Sequence, residues 1–149
     1  MDQIGLLVAR LSGADNRQAY AALKSLLSES TKTNAVYPFF DQLVAMLDSE
    51  NAYRRSRGLL LLSANARWDE SRKFDGIIDS YLTHVHDAKP ITARQCIQAL
   101  PEIARRLPHL ARRIRSALES ADPRIYPDSM EPLIRSDILI ALSQLPSLK

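Results

Sequence analysis

Arg55-Ser56-Arg57-Gly58-Leu59-Leu60-Leu61-Leu62 sets a glycine inside a leucine-rich run, with an arginine three positions before it and a leucine four positions after it. A spacing of three and then four puts Arg55, Gly58 and Leu62 on one face of a helix. On that face a glycine lets a second helix approach closely, and the leucine one turn later fills the space beside the contact. The same triplet occurs three more times. Ala19, Ala22 and Leu26 precede it by 36 residues, Ala93, Cys96 and Leu100 follow it by 38, and Arg135, Ile138 and Leu142 follow those by 42.

The intervening segments keep the same register. Phe40, Leu43 and Leu47 reappear 38 residues later as Ile78, Tyr81 and Val85, and Lys89-Pro90 reappears 42 residues later as Glu131-Pro132. Apolar residues recur at threes and fours while strand-like alternation is missing, which predicts an all-α chain of about eight helices. The first is expected at about 2–11, with Gly13 just beyond it, and the second at about 15–28 with Asp15 as its cap. The third, about 36–47, carries Phe39, Phe40, Leu43 and Leu47 on one face and tolerates Pro38 in its first turn. The fourth runs about 52–66, and the fifth carries Ile77, Ile78, Tyr81, Leu82 and Val85. Pro90 suits the first position of a sixth helix reaching about 107, because its missing N–H has no partner there in any case. Pro101 lies inside that helix and should kink it or end it early. A seventh helix, about 109–120, precedes the two-proline loop Asp122-Pro123-Arg124-Ile125-Tyr126-Pro127-Asp128, and the eighth begins near Glu131-Pro132.

Two helices per unit, a period of about 40 residues, and an Arg or small residue followed by a small residue and then Leu resemble HEAT repeats of the armadillo-like family. The resemblance covers nearly the whole chain. It implies one domain, 1–149, built as a right-handed α-α solenoid of about four HEAT-like helix pairs, with approximate repeats 2–30, 34–66, 72–107 and 109–147. Arg57-Gly58-Leu59-Leu60-Leu61-Leu62-Ser63-Ala64-Asn65-Ala66-Arg67-Trp68-Asp69 and Lys89-Pro90-Ile91-Thr92-Ala93-Arg94-Gln95-Cys96 resemble short bacterial HEAT-like proteins, a likeness that names no activity. The aspartate that the HEAT pattern places before each second helix is kept as Asp15 but becomes Asn51, Lys89 and Glu131, so capping is expected to differ between units.

Composition narrows the function classes. The 149 residues carry a net charge of +3, with 15 Arg and 5 Lys against 17 acidic residues. That excess is too mild to indicate nucleic-acid binding, which shows as a clustered basic face. The single cysteine, Cys96, has no internal disulfide partner, and Met1-Asp2-Gln3 lacks the basic and apolar regions of a secretory signal, so a cytoplasmic protein is expected. The longest apolar run, Leu59-Leu60-Leu61-Leu62, is far short of a membrane span.

A search for chemistry favours structural readings throughout. His84 and His86 point about 200° apart on a helix and so do not share a metal. His109, with arginines as its charged sequence neighbours, reads as a solvated surface residue. Cys96 sits at the close-packing position of its triplet and reads as core. Asp75 and Asp79 lie one turn apart, as a carboxylate pair for acid–base work would, but Arg72 and Lys73 point to surface pairing. Trp68 is expected to bury its ring while its N–H finds a partner. No nucleophile elbow, phosphate-binding glycine loop or paired-cysteine motif occurs. Neither catalysis nor a cofactor or metal is expected.

Binding is left. In HEAT-like stacks the second helices line the concave surface that meets partners. With the triplets facing the core, Gln18, Lys24, Arg54, Arg57, Thr92, Gln95, Gln98, Glu102, Asp137 and Gln144 are expected to lean outward as a polar ladder of mixed sign. Such a ladder suits a partner protein or peptide, with Arg54 and Arg57 as the first choices for anchors. The alternative is a nucleic-acid module that uses Arg105, Arg106, Arg112, Arg113 and Arg115, since residues 103–118 contain five arginines and no acid. Against it, Arg105 can pair with Glu102 and Arg115 with Glu119 at helical spacing. HEAT-like DNA glycosylases share the implied fold, but they surround an extruded base with aromatic side chains and a catalytic acid, and here the aromatics are scattered. The partner's identity and the oligomeric state stay open.

Overall fold

The computed structural model describes residues 2–147. Among them there are eight α-helices and no strand, and none of the helices is long and apolar enough to cross a membrane. The chain divides into two compact units, one ending at Glu70 and the other beginning at Ser71. The division falls between the expected second and third repeats.

The first unit holds α1 (Gln3–Arg10), α2 (Asn16–Ser30), α3 (Phe40–Met46) and α4 (Ala52–Asn65). Asp2, Asp15 and Asn51 cap α1, α2 and α4 by accepting from backbone N–H groups of their first turns. Helix α2 packs on both α1 and α4, and α4 also packs on α3. The core includes Leu11, Ala19, Ala22, Leu26, Phe40, Leu43, Leu47, Leu59 and Leu62, each at most 2% exposed. Each large aliphatic or aromatic side chain buried this fully contributes roughly 1.5–3 kcal/mol.

Pro38 does not sit inside α3. Tyr37–Phe39 forms a separate 3-10 turn, in which Tyr37 N donates to Asn34 O and Phe39 N to Val36 O. This shorter-range bonding suits a residue that has no N–H to give a regular α-helical ladder. Phe39 is consequently half-buried, and Phe40 takes the core position. The far ends of α2 and α4 are tied by polar bonds, with Asn65 Nδ2 donating to Ser30 Oγ at 3.1 Å and Trp68 Nε1 to Ser30 O at 2.8 Å. The indole N–H thus has the partner expected of it, although its ring is only half-buried.

The second unit holds α5 (Phe74–Leu82), α6 (Pro90–Arg106), α7 (Ala111–Glu119) and α8 (Glu131–Gln144). Helix α6 packs on α7, on α8 and on the 3-10 turn Thr83–His86 that extends α5, and α7 also packs on α8. Ile78, Tyr81, Val85, Ala93, Cys96, Leu100 and Ile114 are at most 2% exposed. Pro90 opens α6 as expected. Pro101 does not end it, because Pro101 itself is buried together with Ile97, Leu100 and Ala104, and that packing offsets the one backbone bond the ring removes.

Capping does differ along the chain. Lys89 precedes α6 without a side-chain cap, and its own N–H donates to Asp87 Oδ1 at 2.9 Å. Glu131 is already inside α8, where its carboxylate accepts from Arg135 at 2.6 Å. The triplets keep their core positions unevenly: Arg55 is half-buried, Arg135 exposed and Leu142 half-buried, whereas the middle residues Ala22, Gly58, Cys96 and Ile138 are all buried.

Candidate functional site: polar faces of the second helices

In the first unit, Gln18 and Lys24 are exposed on α2, with the Lys24 Nζ 5.7 Å from the centre of the Tyr20 ring. Arg54, in the first turn of α4, is half-buried; its Nε is shielded from solvent and has no hydrogen-bond partner. Arg57 departs from expectation. Only 6% exposed, it donates from Nη1 to Leu11 O at 2.8 Å and from Nη2 to Asn16 Oδ1 at 3.1 Å, which ties α4 to the turn between α1 and α2. Burial lowers the pKa of its guanidinium, and the neighbouring positive charge of Arg54 lowers it further.

In the second unit, Thr92 and Asp137 are also buried rather than outward, at 2% and 7% exposure. Asp137 on α8 accepts from Arg94 Nε at 2.6 Å and from Arg94 Nη2 at 3.3 Å, a forked pair that joins α8 to α6 and raises the arginine's pKa. The three corrections share a cause. Assigning one core face to each second helix leaves its flanks open, but α4, α6 and α8 each pack on helices along two sides, so flank positions are covered as well.

Gln98, Asp137, Ile140, Ala141 and Gln144 line one cleft of about 310 Å³. Gln98 and Gln144 are exposed in it, and Asp137 is held by Arg94. Gln95 is half-buried, with its Oε1 shielded and unbonded. Glu102 is occupied: Arg105 Nη2 lies 2.6 Å and Arg106 Nε 2.9 Å from its carboxylate oxygens. Sequence reasoning therefore brought three cleft residues together, and missed Arg94 and Ile140. Arg94 had no sequence signal, since its partner is 43 residues away.

The arginine-rich stretch is partly neutralised. Besides the two arginines on Glu102, Arg113 Nη1 stands 3.6 Å from Asp79. The Arg105–Glu102 pair forms as expected, but the Arg115–Glu119 pair does not: Arg115 is half-buried, with a shielded, unbonded Nε. His109 Nε2 lies 2.6 Å from Asp75 Oδ1, and Arg72 Nε 2.9 Å from Asp75 Oδ2. Asp75 and Asp79 thus pair with separate cations. Arg72 holds φ 57° just before α5.

The hydrogen bond with His109 is the main reason the Asp75 carboxyl stays below its ordinary pKa. A lowered folded value means the pair stabilises the fold above the unfolded carboxylate pKa, and that this is lost as pH falls through the folded value. His109→Ala is expected to return Asp75 toward the ordinary range, which NMR titration of its side-chain carboxyl would read. An unchanged Asp75 would refute the bridge.

The remaining candidates are structural. His84 Nδ1 lies 2.7 Å from Asp87 Oδ2, and His86 Nε2 accepts from Asp122 N at 2.9 Å, so the two histidines serve different partners. Cys96 is fully buried, and burial pushes its thiol pKa well up, which keeps it protonated and unreactive. Tyr126 donates to Asp87 O at 2.7 Å, and its hydroxyl is pushed up to about 12, first by burial and then by Asp87. In comparisons with known proteins, no family model, no curated protein and no solved structure matches the chain.

Proposed function

We propose that the chain is a non-catalytic HEAT-like scaffold of stacked helix pairs that binds a partner protein or peptide on the faces of its second helices. Two packing relations support the stack: α4 lies on α2 within the first unit and α8 on α6 within the second. A cytoplasmic setting accords with the single thiol being buried and unpaired.

The cleft of Gln98, Asp137, Ile140, Ala141 and Gln144 carries the reading. Each glutamine amide offers both a donor and an acceptor, the pairing an extended peptide backbone needs, and Ile140 supplies an apolar wall. The Arg94–Asp137 pair fixes the floor before any partner arrives, which lowers the ordering cost of binding.

The test is capture from native lysate on the immobilised chain, with recovered partners identified by mass spectrometry and their affinity then measured directly. Replacing both Gln98 and Gln144 by Ala is expected to weaken the captured partner by about tenfold or more. Recovery of nucleic acid with no protein would refute the reading. Phosphate binding is the second possibility, favoured by Arg112, which is exposed and has no bonded partner among the described residues. It requires retention on duplex DNA that falls steeply with salt and drops on Arg112→Ala. With Arg105, Arg106 and Arg113 already facing carboxylates, the expected retention is weak.

A further inference from the structure

Arg54 and Arg57 stand one turn apart at the start of α4, and neither meets a carboxylate among the described residues. The bonds of Arg57 go to a backbone carbonyl and a side-chain amide, which hold the guanidinium in place without neutralising it. Arg54 makes no side-chain bond, and its Nε–H is already stripped of water. No acidic residue lies in the first turn of α4. That end of a helix carries the positive pole of the backbone dipole, where acids are favoured and cations are not. Local rules broken in this way, without compensation inside the fold, mark places kept for something outside it.

The surroundings say what that is. Tyr53 is 63% exposed, with its ring centre 6.0 Å from the Arg57 guanidinium carbon. Helix α2, packed on α4, repeats the arrangement with Tyr20, 59% exposed, beside Lys24, and has no acid before Glu29. Exposed tyrosines next to arginines are the side chains that anchor protein interfaces. Residues 1–70 contain eight Lys and Arg and eight Asp and Glu, so the unit has no net charge and lacks the broad positive field that a polyphosphate chain requires.

We propose that Arg54 and Tyr53 on α4, together with Tyr20 and Lys24 on the adjoining α2, take an acidic peptide segment of a partner protein. An Asp or Glu carboxylate of the segment receives N–H groups from the two terminal nitrogens, Nη1 and Nη2, of Arg54, a second carboxylate meets Lys24, and the peptide's apolar atoms lie on the tyrosine rings. Arg57 positions Tyr53 from below. This inference rests on the scaffold reading, but it concerns residues of the first unit, whereas the glutamine cleft belongs to the second.

A displayed library of random short peptides, panned on the full chain, tests it. Peptides recovered by the wild type are expected to be enriched in Asp and Glu over the input library. A recovered acidic peptide should bind Arg54→Gln about tenfold more weakly and Arg54→Lys with an intermediate loss, since lysine keeps the charge but not the fork. Circular dichroism of each variant reports folding independently. Recovered peptides with no acidic excess, wild-type affinity in Arg54→Gln, or displacement of the peptide by duplex DNA at moderate salt would each overturn the assignment. Capture of a partner that depends on Gln98 and Gln144 while ignoring Arg54 would remove this inference and leave the scaffold standing.

Discussion

Gly58→Val is expected to destabilise the folded chain by about 3 kcal/mol or more, seen as a lower urea midpoint in the fluorescence of Trp68, the chain's only tryptophan. A Cβ at position 58 would lie 2.9 Å from Leu43 O, 3.1 Å from Met46 Cβ and 3.4 Å from Leu47 Cδ2. The nearest of these is backbone of α3, so relief requires moving a helix whose Phe40, Leu43 and Leu47 are fully packed. Helix propensity alone argues the other way, since replacing glycine in a helix interior gains up to about 1 kcal/mol. The clash outweighs that gain. Gly76, on α5, meets nothing within 4 Å and serves as the control. Gly76→Ala is expected to raise stability by about 0.5–1 kcal/mol, and a Gly58→Ala variant as stable as the wild type would mean that α3 and α4 are not in close contact.

Phe74→Ala is expected to cost about 3–5 kcal/mol, measured by urea unfolding followed by far-ultraviolet circular dichroism. The Phe74 side chain is fully buried in the first turn of α5, with its ring centre 6.2 Å from that of Tyr81 at a tilt of 55°. Truncation removes both the burial and the tilted ring contact, and the surrounding helices fill the void only in part. Phe74→Leu, which keeps most of the volume, should lose much less. Equal losses in the two variants would show that the site does not depend on filled space.

Phe74 is instructive because periodicity did not single it out. It follows the polar pair Arg72-Lys73, whereas Ile77 and Leu82, named among the apolar residues of the fifth helix, are only half-buried. A three- and four-residue pattern finds the stripe shared by Ile78, Tyr81 and Val85, but it does not fix which residue begins the stripe. The two bridges between α5 and residues 109–113 were closer to being legible. Asp75 and Asp79 lie one turn apart, as do His109 and Arg113, and both bridges span 34 residues. Equal spacing within the two segments was a signal that these side chains could meet.

The sequence by itself determined the number and order of the helices and the residues at their closest contacts, because helical periodicity, proline positions and the small–leucine triplets act over a few residues along one chain. Asp15 as a cap, and Ala22, Gly58, Cys96 and Ile138 as buried contact points, needed nothing more distant. Tertiary structure alone decided which polar residues stay available. Arg57, Thr92 and Asp137 were drawn inward because a second neighbour covers the flank of each helix; Leu11 O and Asn16 became partners of Arg57, and Arg94 of Asp137, across tens of residues. Exposure belongs to the packed set of helices rather than to any one of them, so a helical wheel locates the core of this protein but not the polar side chains left exposed.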